Sequence, residues 1–123
     1  MFEKLNLPKS GIFVIYGATG DLTHRKLMPA LLQLLKKDYL PKCFHIVAVA
    51  RRDKTHKEYR NDVNESLKKF TKANQTLIQK FLKKIYYFKT DFDKSTGYLE
   101  LKEFLNQIDK DNCAHSNRIF YMA

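Results

Sequence analysis

Residues 12–16, Ile-Phe-Val-Ile-Tyr, are an unbroken run of branched and aromatic side chains, the composition of a strand buried on both faces. Gly17 and Gly20 follow at once. From about Asp21 to Lys37 the period changes: Leu27, Leu31, Leu34 and Leu35 recur at helical spacing and should face a sheet. Asp21 suits the start of that helix, its carboxylate accepting from free N–H groups and opposing the dipole. Pro29 interrupts it, because it cannot donate to the carbonyl of Arg25 and disfavours helical geometry at Met28. A kink or restart is expected there, turning Arg25 and Lys26 toward any crevice at the strand end. Phe44–Ala50 reads as a second buried strand and runs into Arg51-Arg52-Asp53. Thr55-His-Lys-Glu58 is a capping box, opening a helix with Tyr59, Val63, Leu67 and Phe70 on one stripe. Asn74 begins another helix with Leu77, Ile78, Phe81, Leu82 and Ile85 inward. Tyr86–Thr90 is a third, more polar strand. After a turn at Asp91-Phe92-Asp93, a further helix should bury Tyr98, Leu101, Leu105 and Ile108. Asn117–Ala123 is a fourth strand.

Strands that alternate with helices specify a parallel sheet with right-handed crossovers. The expected class is therefore α/β, a doubly wound, Rossmann-type, mostly parallel sheet with helices on both faces. Ligands of such sheets bind across the carboxyl ends of the strands, where strand order reverses. Those ends are Tyr16-Gly17, Ala50-Arg51, Thr90-Asp91 and Met122-Ala123.

Composition changes this picture little. A chain of 123 residues with 44% hydrophobic and 13% aromatic content is one globular domain by length. No apolar run reaches the roughly 20 residues of a membrane helix, and Met1-Phe-Glu-Lys-Leu lacks the apolar core and small-residue cleavage site expected of a signal peptide. Cys43 and Cys113 lie far apart without C-x-x-C spacing, so neither a disulfide framework nor a metal site is indicated, and a cytoplasmic setting is expected. The net charge of +10 comes from scattered lysine pairs, with no nucleic-acid-binding motif beside them. It reads as a solvated exterior that would also attract a phosphorylated ligand.

Strand, glycine turn and helix in that order cradle phosphate: glycines let the backbone approach, and the first helical N–H groups point at the negative charge. The spacing Gly17-x-x-Gly20-x-x-Thr23 is not the standard G-x-G-x-x-G. The second strand tip is more informative. NAD-binding domains place an Asp or Glu there for the ribose hydroxyls, whereas this chain has Arg51 and then Arg52. A guanidinium fork grips a 2′-phosphate with two bonds. Charge-assisted bonds contribute about 1.5–3 kcal/mol, which favours NADP over NAD by roughly ten- to a hundredfold.

The stretch from Tyr16 to Leu31, YGATGDLTHRKLMPAL, resembles the G-x-x-G-D-L-x-x-R-K-L-x-P-A-L signature of the glucose-6-phosphate dehydrogenase family. The resemblance continues through Ile46–Arg51 and Asn117–Ala123, and it accounts for Pro29. It implies hydride transfer from glucose 6-phosphate to NADP, giving 6-phosphogluconolactone in the first step of the pentose phosphate pathway. It also implies that the backbone of Gly17, Ala18, Thr19, Gly20, Asp21 and Leu22 holds the pyrophosphate and that Arg51 meets the 2′-phosphate. Asp91 and Phe92 would border the adenosine, and Lys26 would lie between cofactor and sugar. A homo-oligomeric parent is implied as well. Thr23-His24 departs from the family's common Ala-Lys or Ala-Arg.

Family members are much longer, with a second α+β domain that carries the histidine base and the sugar-phosphate site. Nothing here matches that histidine's motif: His24, His45, His56 and His115 fall on a helix, a strand, a cap and a loop. Residues 1–123 are therefore expected to be an N-terminal dinucleotide-binding domain, truncated and inactive alone, with no catalytic residue of its own. One rival is an extended short-chain dehydrogenase or epimerase, which normally has a third Gly where Thr23 stands and uses a Tyr-x-x-x-Lys pair absent here. The other is a noncatalytic basic nucleotide-binding module.

Overall fold

A computed structural model describes residues 10–41, 43–90, 96–111 and 117–122. Strand β1, Ser10–Tyr16, leads through the glycine turn and a π-helical turn, Thr23–Leu27, into helix α1, Met28–Lys36. There follow β2, Cys43–Ala50; α2, His56–Phe70; α3, Gln75–Leu82; β3, Ile85–Lys89; α4, Thr96–Asp111; and β4, Asn117–Met122. The strands form one sheet in the order β3-β2-β1-β4, parallel throughout. Strand order thus grows outward from β1 to β3 and then reverses to β4, the arrangement expected of a doubly wound sheet.

Period-two alternation in the two central strands divides the core. Ile15, Ile46, Ala48 and Ala50 pack with Met28, Leu31 and Leu32 of α1, Tyr59, Val63 and Leu67 of α2, and Ile78 and Phe81 of α3. Ile12, Val14, Val47 and Val49 point to the opposite face and pack under Leu101, Leu105 and Ile108 of α4. Both faces of β1 and β2 are covered, which is why these strands carry no polar alternation.

The helix starts follow their local chemistry. Thr55 caps α2: its hydroxyl accepts from the Glu58 N–H at 3.1 Å, and the Glu58 carboxylate accepts from the Thr55 N–H at 2.9 Å. Asn74 caps α3 by accepting from the Leu77 N–H at 2.8 Å. Pro29 is accommodated by the π turn, in which the Met28 N–H reaches back five residues to the Thr23 carbonyl. The break imposed by the proline is taken up inside one widened turn, and α1 restarts with Pro29 in its first turn, where a missing N–H costs nothing.

Four expectations are corrected. Ile85 opens β3: α3 ends at Leu82, Lys83-Lys84 turn, and the side chain is buried from the sheet. Phe70 is 41% exposed, because the last residue of α2 outruns the core, and the Lys69 ammonium lies 5.2 Å over its ring. Tyr98 is 58% exposed, on the phase of Leu101 and Leu105 but one turn too early to have sheet beneath it. Cys43 is disulfide-bonded, contrary to the inference from spacing. The Asp91-Phe92-Asp93 turn and Cys113 lie outside the described residues. Among the described residues, no helix is long and apolar enough to cross a membrane.

Candidate functional site

The carboxyl ends of the strands open onto a crevice of about 740 Å³, lined by Tyr16, Gly17 and Thr19 after β1, Val49 to Arg52 at the end of β2, Thr90 after β3, and by Tyr98 and Met122. Its size is that of a cofactor site. Its lining runs from Thr90 after β3 to Met122 of β4, and so takes in the junction of β1 and β4, where strand order reverses.

The wall after β1 is a tightly braced turn. Gly17 has φ 77°, in the left-handed region that a Cβ disfavours. The N–H groups of Gly17 and Ala18 both donate to the Val49 carbonyl, at 3.0 and 3.2 Å. The Gly20 N–H donates to the Gly17 carbonyl at 3.1 Å, and a Cβ on Gly20 would sit only 3.3 Å from that oxygen. Thr23 is fully buried and its hydroxyl donates to the same carbonyl at 3.4 Å. A side chain therefore fills the position where an extended short-chain dehydrogenase normally carries glycine. The N–H groups of Thr19, Asp21 and Leu22 take no acceptor among the described residues. They are the open donors at the head of the helix, the side toward which its dipole attracts an anion.

Asp21 does not cap these donors. Its carboxylate accepts from the Arg25 Nε at 3.1 Å, an exposed i,i+4 pair. Arg25 and Lys26 are both exposed and neither lines the crevice. The expected turn of this segment toward the crevice does not bring either residue into its lining, and the π turn takes up the break at Pro29.

On the opposite wall Arg51 and Arg52 are exposed. Arg51 has no acceptor among the described residues, so its guanidinium is available to a ligand. Asp53, the nearest carboxylate in sequence, is exposed and lies 3.9 Å from the Lys89 ammonium. Thr90 is buried at the floor, its N–H donating to the Ala50 carbonyl at 3.0 Å. Asp91 and Phe92 lie outside the described residues.

Two tyrosines missing from the sequence-level site support both walls from beneath. Tyr59, fully buried, donates its hydroxyl to the Ala18 carbonyl at 2.7 Å. Tyr87 donates to the Arg52 carbonyl at 2.6 Å. Their rings stack with centroids 4.9 Å apart. Burial raises the pKa of each phenol, so both stay protonated donors. The one signal in the sequence is general: a tyrosine on a buried stripe needs a partner for its hydroxyl.

The histidines are placed as supports. His24 is half-buried with its ring 5.7 Å from that of Tyr59, and burial lowers its pKa. His45 sits on β2, its pKa also lowered by burial. The Nδ1 of His56 accepts from the Tyr87 N–H at 2.8 Å. None lines the crevice, and His115 lies outside the described residues.

A family model described as glucose-6-phosphate dehydrogenase, NAD binding domain, matches residues 14–123. The glucose-6-phosphate 1-dehydrogenase of Chlamydia muridarum is 36% identical over 115 residues, covering 91% of this chain. That of Chlamydia pneumoniae is 36% identical and covers 97%. The chain spans 23% and 24% of the length of these two relatives. A solved glucose-6-phosphate dehydrogenase, in complex with its substrate glucose-6-phosphate, superposes with a TM-score of 0.82 at 28% identity over 95% of this chain and 25% of its own. The glucose-6-phosphate 1-dehydrogenase of Mycobacterium avium shares the fold, with a TM-score of 0.77 at 23% identity over 93% of this chain and 23% of its own. The fingerprint turn, the open donors at its helix, the reversal point of the sheet and the match over nearly the whole chain agree: the chain belongs to the glucose-6-phosphate dehydrogenase family and carries its nucleotide-binding domain.

Proposed function

We propose that the crevice binds NADP, and that the chain serves as the coenzyme domain of an enzyme oxidising glucose 6-phosphate to 6-phosphogluconolactone. The observation that carries the coenzyme assignment is Arg51: a guanidinium with no acceptor among the described residues, on the crevice, at the strand tip where NAD-binding domains hold a carboxylate. The residues suit the ligand. The N–H groups of Thr19, Asp21 and Leu22 are open to a pyrophosphate, and Gly17 leaves the backbone bare where it must approach. Arg51 offers a planar fork to the 2′-phosphate. Val49, Ala50 and Met122 supply an apolar lining.

Bound NADP supplies the hydride acceptor; the chain's part is to hold and orient it. Asp91 and Phe92 are proposed to border the adenosine, and Lys26, on the π turn, to meet the sugar side. No histidine of the described residues lines the crevice, so we assign the base that takes the proton from the sugar hydroxyl to chain beyond these residues.

Titration of the folded chain with NADP⁺ and NAD⁺, repeated on Arg51→Ala, tests the assignment. The expected result is a preference for NADP⁺ of about ten- to a hundredfold, lost in the variant. Equal affinities in the unaltered chain overturn it. With glucose 6-phosphate and NADP⁺ together, the chain is expected to produce no NADPH; turnover would overturn the assignment of the base.

A further inference from the structure

We infer that Tyr87 is a specificity-determining positioning residue, which aims Arg51 at the 2′-phosphate by holding the backbone of the β2 tip at Arg52. The inference rests on the NADP reading of the crevice.

The two walls of the crevice are separate loops, and each takes one hydroxyl hydrogen bond from the buried pair. Tyr59, from α2, holds Ala18 of the glycine turn, and Tyr87, from β3, holds Arg52 of the β2 tip. The stacked rings join the two supports to each other. The glycine turn has a second anchor, since Gly17 and Ala18 both donate to the Val49 carbonyl. Among the described residues, the Arg51–Arg52 backbone has no such second hydrogen bond; on one side the chain is held at Ala50 in the sheet, and on the other by the side-chain pairs Asp53–Lys89 at 3.9 Å and Lys54–Asp62 at 2.8 Å and then the Thr55 cap. Tyr87 in turn is fixed, 5% exposed, with its N–H on the His56 Nδ1. Removing its hydroxyl leaves the Arg52 carbonyl without that donor and lets the tip rotate. The guanidinium of the adjacent Arg51 swings with it. The pyrophosphate, which the coenzyme shares with NAD, is held on the other wall, so the loss should fall chiefly on the 2′-phosphate that Arg51 meets.

The test is calorimetric titration of NADP⁺ and NAD⁺ into the full chain, as Tyr87→Phe, Tyr59→Phe, Arg51→Ala and the Arg51→Ala/Tyr87→Phe double variant. Phenylalanine keeps the ring stack, and circular dichroism checks each fold. Tyr87→Phe should weaken NADP⁺ about three- to tenfold, the worth of one aimed hydrogen bond, and leave NAD⁺ unchanged. In the Arg51→Ala background it should cost nothing further, because the two residues act through one contact. Tyr59→Phe should weaken both coenzymes by the same factor. If Tyr87→Phe weakens both equally, or still costs NADP⁺ affinity without Arg51, Tyr87 is merely structural and the inference falls. If Arg51→Ala abolishes the preference while Tyr87→Phe retains it, the inference alone falls. An unaltered chain with no preference overturns the coenzyme reading and the inference with it.

Discussion

The geometry of the glycine turn makes a prediction from two identical substitutions on one strand–turn unit. Gly17 sits at φ 77°, where an L side chain is strained by about 1–2 kcal/mol. Its N–H is tied to the Val49 carbonyl at 3.0 Å, so it cannot relax φ without losing that bond. Gly11, near the start of β1, has no positive φ, and a Cβ there would meet its neighbours at 3.7–3.8 Å, ordinary contact. Replacing either glycine by alanine removes similar freedom from the unfolded chain, worth about 0.4–1 kcal/mol in favour of folding. Gly11→Ala should therefore be neutral or slightly stabilising. Gly17→Ala gains the same unfolded-state term but incurs the strain, so the difference between the two variants isolates the strain, about 1–2 kcal/mol. Urea titrations followed by far-ultraviolet circular dichroism read this as a shift in midpoint at constant slope. Equal midpoints for the two variants would refute the assignment of strain to Gly17.

The remaining predictions concern the core and pH. Leu105→Ala should cost about 2–5 kcal/mol, because Leu105 is 2% exposed in the layer under α4. Tyr98→Ala, on the same helix phase but 58% exposed, should cost clearly less than Leu105→Ala; a comparable loss at both would contradict the exposure of Tyr98. His24, His45 and His56 all have pKa values lowered by burial, so the unfolded chain binds more protons between their folded values and about 6.5. Stability should thus be complete above about pH 6.5 and decline as pH falls below it. Denaturation midpoints that rise on acidification from pH 7 to 5.5 would reverse the sign and refute the burial of these rings.

Much of the fold was legible because it is written in neighbouring residues. The Thr55–Glu58 box spans three residues and closes both of its hydrogen bonds as expected. Pro29 announced a break, and its local form, a π turn with Met28 donating to Thr23, follows from a helix that must skip one donor. Ile85 was harder: an isoleucine on a helical phase also fits the first position of a buried strand, and the Lys83-Lys84 turn that separates the two has no glycine or proline to mark it. Tyr98 failed for a related reason. Periodicity gives the face of a helix but not where along the helix the sheet ends.

The site divides in the same way. The alternation of strands and helices, the glycine turn after β1 and the arginine at the tip of β2 were all determined by the sequence itself, since each depends on residues a few positions apart. Tertiary structure alone decided that Tyr59 meets Ala18, 41 residues away, and that Tyr87 meets Arg52, 35 residues away. It also decided that Asp21 pairs with Arg25 while the Thr19, Asp21 and Leu22 donors take no acceptor among the described residues, and that Cys43 is disulfide-bonded. The long-range contacts follow from strand order and crossover packing, which bring distant segments together through the whole core; no local spacing encodes which hydroxyl finds which carbonyl.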